Sequence, residues 1–148
     1  MSFQGEYINT IDPKGRASIP AKFREILAGT YGDERVVVTK NQEDGLTAYP
    51  LPIWEQIRER VEKSSPGPIK TATVRMFLAP ATECAFDKQG RIQIPQALRS
   101  YAGLEKEIVV VGLIDKIELH SQVRYAEVSR RSLALLQAEP QVVADFGF

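Results

Sequence analysis

The sequence is poor in the residues that usually carry chemistry. Its 148 residues hold one cysteine (Cys84), one histidine (His120), one tryptophan (Trp54) and two methionines. A single cysteine excludes an internal disulfide and fits a reducing, cytoplasmic setting. One histidine and one cysteine cannot make a zinc spacing, and no phosphate-binding loop or dinucleotide glycine pattern occurs. A lone histidine at the end of a predicted strand, without nucleophile or orienting partner, reads as a packed or surface residue rather than a base. Cys84 alternates with Phe86 toward the predicted core, where a thiol is inert. The expectation is a chain without enzyme activity, cofactor, metal or small-molecule substrate.

Two further absences narrow the class. No apolar run approaches the ~18 residues that cross a bilayer. The opening Met-Ser-Phe-Gln-Gly-Glu has neither the basic nor the apolar region of a secretory leader, so no membrane partner is expected. Charge of one sign is also lacking, because 19 basic residues balance 19 acidic ones. A nucleic-acid partner is therefore compatible with this chain only if the charge is segregated.

What is present is a repeat. Asp12-Pro13-Lys14-Gly15-Arg16-Ala17-Ser18-Ile19-Pro20-Ala21-Lys22-Phe23-Arg24 returns as Asp87-Lys88-Gln89-Gly90-Arg91-Ile92-Gln93-Ile94-Pro95-Gln96-Ala97-Leu98-Arg99, at a constant offset of 75. Six of these thirteen positions are identical without a gap, which points to an internal duplication. The likeness continues weakly through Val36-Val37-Val38 and Val109-Val110-Val111, then Leu46–Tyr49 and Ile117–His120, to Trp54 and Tyr125. Asp-Pro-Lys-Gly suits a type I turn closed by a left-handed glycine, so Asp12, Gly15, Asp87 and Gly90 are assigned to the turns.

Period-two alternation puts Tyr7, Asn9 and Ile11 on one face before the first turn, and Thr82, Cys84 and Phe86 before the second. Beyond the turns Ala17, Ile19, Ile92 and Ile94 face inward, so Arg16 and Arg91 face outward. Pro20 and Pro95 end these strands and start short helices. Phe23, Ile26 and Leu27 are the apolar face of one helix and Leu98, Tyr101 and Ala102 that of the other, with Gly103 as a stop. Two valine-rich strands and an amphipathic helix complete each copy. Ser64–Pro68 reads as a linker, residues 70–79 as a further helix, and 140–148 as an apolar tail without clear periodicity. The predicted organisation is α+β: a first module over 1–63, a connection over 64–77, and a second module over 78–148.

The paired Asp-x-x-Gly-Arg turns, Gly5-Glu6-Tyr7, the Ile-Pro-x-x-(Phe/Leu)-Arg continuations, Tyr49-Pro50-Leu51 before Trp54, and Tyr101-Ala102-Gly103-Leu104 resemble the MraZ family within the wider AbrB-like group. The resemblance spans residues 3 to 137. It implies two tandem pseudo-symmetric swapped-hairpin modules forming a pseudo-dimer within one chain, with packed helices. It also implies ring-like homo-oligomers and binding to short direct repeats upstream of the cell-division and cell-wall gene cluster. Arg16, Arg91, Asp12 and Asp87 match the family's motif positions. Two positions depart from it, His120 where tryptophan is common and Ala17 where a larger aliphatic is usual.

Charge segregation agrees with double-stranded DNA as partner. Residues 12–24 hold four basic side chains against one acidic, and 87–99 hold three against one. Arginine offers a planar fork that reads guanine, so Arg16 and Arg91 are assigned to base readout. Lys14, Lys88, Lys22, Arg24 and Arg99 are assigned to phosphates, with surface ion pairing the equal alternative for the last two. Asp12 and Asp87 meeting as a catalytic dyad is the remote alternative, given their turn-opening positions. The functional expectation is a DNA-binding transcription regulator located at the nucleoid. An oligomeric protein-interaction or antitoxin-like module is the alternative.

Overall fold

Alternation along the first strand, β1 (Phe3–Thr10), buries Phe3 and half-buries Gly5, Tyr7 and Asn9 while every intervening side chain is exposed. In the computed structural model, which describes residues 1–148, β1 leads through the first turn into β2 (Arg16–Ser18) and helix α1 (Ala21–Tyr31). β3 (Val36–Lys40), β4 (Leu46–Pro50) and α2 (Leu51–Lys63) follow. After α3 (Pro68–Thr73), which continues as one widened π turn over Val74–Leu78, the same order resumes. It runs β5 (Thr82–Cys84), β6 (Arg91–Gln93), α4 (Gln96–Ala102), β7 (Glu107–Ile114), β8 (Lys116–Ser121) and α5 (Gln122–Gln137). The molecule is thus α+β, with an antiparallel sheet and six helices. No helix is long and apolar enough to cross a membrane.

The predicted helix faces are the observed ones: Phe23, Ile26 and Leu27 are buried in α1, and Leu98 and Ala102 in α4. Gly103 ends α4 with a left-handed φ of 65°. Pro20 and Pro95 stand one residue before their helices, where each carbonyl accepts from the first turn: Phe23 N donates to Pro20 O at 3.0 Å and Leu98 N to Pro95 O at 3.1 Å. The apolar tail requires a correction, because Pro140–Phe146 is a further helix, α6. Seven residues are too few to display a helical period, and Pro140 at its first turn was the available start signal.

The strands that flank the two duplicated turns do not pair as simple hairpins. Between β1 and β2 there is one bridge, Ile11 with Ala17, and the arms then part. β1 pairs along its length with β7, β5 pairs with β3, and β2 pairs with β6 to form a separate two-stranded ribbon. The main sheet runs β1-β7-β8-β4-β3-β5. Substituting each strand by its equivalent in the other copy reads that order backwards. The register agrees, since Ala17 lies opposite Ile92, its own equivalent, and Thr47 opposite Glu118, its equivalent in the weaker part of the repeat.

One apolar cluster results, drawing Phe3, Phe23, Leu27, Val38 and Leu46 from the first copy and Ile92, Ile94, Leu98, Ile108 and Leu119 from the second. Ala17 and Ile92 are wholly buried as a small–large cross-strand pair, so the smaller Ala17 is matched by a larger partner.

Candidate nucleic-acid interface

The two turns are built by one set of bonds made twice. Gly15 N donates to Asp12 O at 2.9 Å and Gly90 N to Asp87 O at 3.1 Å. Asp12 Oδ1 accepts from the backbone N–H of Lys14 (3.0 Å) and Arg16 (2.9 Å), and Asp87 Oδ1 from Gln89 (2.9 Å) and Arg91 (3.0 Å). A short carboxylate folded back over its own turn is the reason Asp opens it. Those N–H groups, that of the arginine foremost, hold both carboxyls below the usual carboxylate range against the opposing effect of burial. Gly15 and Gly90 have φ of 85° and 75°, the left-handed backbone expected of them.

A second requirement for glycine was not visible in either turn alone. A Cβ on Gly15 would lie 2.5 Å from Nε of Arg99 and 2.8 Å from the Ile94 carbonyl. One on Gly90 would lie 2.7 Å from the guanidinium carbon of Arg24. Each turn is thus covered by the helix arginine of the other copy. The ladder beside them is reciprocal as well, with Ile19 N donating to Gly90 O (3.2 Å) and Ile94 N to Gly15 O (2.8 Å). Arg99 Nε also donates to Ile94 O at 3.0 Å, whereas Arg24 Nε is buried without a partner. The signal lay in the sequence as a glycine and an arginine nine residues apart in both copies, but only the cross-copy pairing gives it meaning.

On the outer face of the ribbon stand Arg16, Ser18, Arg91 and Gln93, in the pairs Arg16–Gln93 and Ser18–Arg91. The two arginines are diagonal neighbours, roughly 7–8 Å apart at the backbone. Arg16 Nε donates to Asp12 Oδ2 at 2.6 Å, and Arg91 Nε to Asp87 Oδ2 at 2.9 Å. Arg91 also brings Nη1 within 3.6 Å of Asp12 Oδ2, across the copies. Gln93 Nε2 donates to the Lys14 carbonyl, tying the ribbon to the opposite turn. Lys14, Lys22 and Lys88 are exposed, while Arg24 and Arg99 are half-buried. The structure therefore brings the assigned turn residues together with Arg16 and Arg91 at the β2–β6 ribbon.

The residues of the catalytic alternatives lie elsewhere or are otherwise engaged. His120 is fully buried, with Nε2 2.9 Å from Glu118 Oε1 and its ring beside Tyr125. Burial pushes the Cys84 thiol up to about 11, leaving it protonated at neutral pH. Asp12 and Asp87 each face an arginine rather than one another.

The chain matches the family described as "MraZ protein, putative antitoxin-like" twice, over residues 2–76 and 77–143. It is 50% identical to the Transcriptional regulator MraZ of Syntrophotalea carbinolica across the whole of both chains. With the protein of that name from Geobacter sulfurreducens the identity is 38%, over 98% of this chain and 99% of the relative. For Desulfitobacterium hafniense strain Y51 it is 44%, over 88% of each.

Proposed function

The chain belongs to the MraZ family, and from that membership we propose that it is a sequence-specific DNA-binding transcriptional regulator, not an enzyme. The observation that carries this reading is the β2–β6 ribbon, which sets Arg16 and Arg91 side by side on an outward face. A two-stranded ribbon fits the B-DNA major groove, about 12 Å wide, and an arginine fork there meets O6 and N7 of guanine. Lys14, Lys22 and Lys88 are exposed and serve phosphates in this reading. Arg24 and Arg99 belong to the phosphate set too, though their packing over Gly90 and Gly15 restricts their reach.

The finer architecture belongs to the same proposal. Residues 1–63 and 78–148 are two AbrB-like swapped-hairpin modules joined by 64–77, a pseudo-dimer in one chain. Pairing of β1 with β7, β5 with β3 and β2 with β6 supports this. The partners are double-stranded DNA at the nucleoid and further copies of the chain in a ring-like homo-oligomer. Exposed Leu133, Leu135 and Leu136 on α5, with Val142 and Phe146 on α6, support self-association. A ring would array its ribbons along short direct repeats upstream of a cell-division and cell-wall gene cluster, multiplying weak contacts. The same apolar surface favours the second reading, an antitoxin-like protein-interaction module.

Paired titrations of specific and random duplex at several salt concentrations test the proposal. Arg16→Lys is expected to lose about 1–3 kcal/mol on the specific site and much less on random DNA. Lys22→Ala should weaken both equally and flatten the salt slope by about one unit for each phosphate no longer neutralised. A protein that prefers no duplex over any other, yet binds a protein ligand, would establish the second reading instead. Light scattering that gives a monomer at micromolar concentration would remove the ring.

A further inference from the structure

The duplicated turns are not equivalent where their carboxylates meet the arginines. Asp12 Oδ2 serves two arginines, Nε of Arg16 at 2.6 Å and Nη1 of Arg91 at 3.6 Å. Asp87 Oδ2 serves only Arg91, at 2.9 Å. Side-chain exposure follows, at 36% for Arg16 and 23% for Arg91. We propose that Asp12 is the positioning residue of the reading face, aligning the guanidinium groups of both copies, whereas Asp87 aligns one.

This inference rests on the assignment of Arg16 and Arg91 to base readout. A free arginine side chain gives up rotamer entropy when it is fixed, so a fork held before DNA arrives loses less on binding. With Nε engaged by aspartate, the Nη edge of Arg16 stays open to a base. Arg91 is held at Nε by Asp87 and at Nη1 by Asp12, which leaves Nη2 as its open donor. The base beneath Arg16 is therefore read by the more open fork, and the two steps of the site are unequal although the ribbon is nearly symmetric. The carboxylates also oppose phosphate attraction, so their removal strengthens binding to any duplex while loosening the choice among sequences.

Asparagine separates the positioning role from the turn. In Asp12→Asn the retained Oδ1 still accepts from Lys14 N and Arg16 N, but the new Nδ2 cannot accept from an arginine. The ratio of specific to random affinity is expected to fall about 100-fold in Asp12→Asn and about tenfold in Asp87→Asn, at roughly tenfold per loosened fork. Affinity for random duplex should rise in both, with unchanged melting temperatures. In an Arg16→Lys, Arg91→Lys background, Asp12→Asn should change the ratio no further, since nothing is left to align. Without DNA, the Hε resonance of Arg16 and the Hη resonances of Arg91 should shift in Asp12→Asn, and only the Hε resonance of Arg91 in Asp87→Asn.

Equal losses of ratio in the two variants, or equal weakening on both duplexes with a lowered melting temperature, would overturn the inference while leaving the readout assignment standing. A wild-type protein that does not discriminate between duplexes overturns that assignment, and the inference with it. The resonance shifts separate these outcomes, because they report the alignment without DNA.

Discussion

The two halves share a plan but are fastened by different forces. In the first, α2 buries Trp54 against Tyr49, at 5.7 Å between rings, under the groove that Ile57 and Val61 share with Phe77 and Leu78 of the π turn. In the second, α5 buries no residue fully: Tyr125 is half-buried beside the His120 ring, and polar contacts add to its hold. Tyr125, standing where the repeat has Trp54, donates its hydroxyl to Glu6 Oε2 at 2.5 Å. Arg124 Nη1 donates to the carbonyls of Tyr101 (2.5 Å) and Asp44 (3.0 Å), and Ser121 caps the helix. Burial and the Glu6 carboxylate push the Tyr125 hydroxyl up to about 12, so it remains a donor throughout the neutral range. A helix at the equivalent place can therefore be held without a fully buried apolar anchor, and its leucines are left exposed.

The first strands differ in the same way. β1 has eight residues paired with β7, whereas β5 has three paired with β3. β5 is entered from the π turn, which Thr39 holds by donating Oγ1 to the Phe77 carbonyl at 2.6 Å. At the place of Thr39 the second copy has Gly112, and a Cβ there would meet the backbone of Gln4 at 2.5 Å. One copy thus uses that position to dock a helix, and the other to admit a long strand.

Separating the halves tests this difference most severely. Residues 1–63 and 78–148 expressed singly are each expected to show no cooperative melting, because β1, β5, β2 and β6 all lose their partners. Mixing the fragments should restore a transition. A single fragment with a cooperative transition of its own would show that the shared core is dispensable.

A smaller difference should separate the two helix anchors. Trp54→Ala is expected to cost about 3–5 kcal/mol in chemical denaturation, through reduced burial and an unfilled groove. Tyr125→Phe should cost about 1 kcal/mol, the net value of one partly exposed hydrogen bond. No loss in Tyr125→Phe would mean that α5 is not held by this polar contact.

The smallest contrast lies in the turns. Alanine at Gly15 or Gly90 must adopt a left-handed backbone, at about 1–2 kcal/mol each. Gly15→Ala should lose more, since its Cβ meets the Ile94 carbonyl as well as Arg99, while Gly90→Ala presses mainly on the flexible Arg24 side chain. Thermal melts of both variants give the order, and the reverse order would mean that the Ile94 strand yields more easily than Arg24.

The duplication, the turn chemistry, the inward faces and the outward arginines were all legible in the chain itself. Each depends on local rules: Asp and Gly at fixed turn positions, period two before and after them, and proline ahead of a helix. The tail helix escaped because seven residues carry too little periodic signal. Long-range packing was needed to establish that the turns' arms part, that Arg24 and Arg99 cross to cover the opposite glycine, and that Asp12 reaches both arginines. Backbone hydrogen bonds and ion pairs do not register which distant segment will supply the partner. That choice is made by the shared core, which neither copy can close with its own strands.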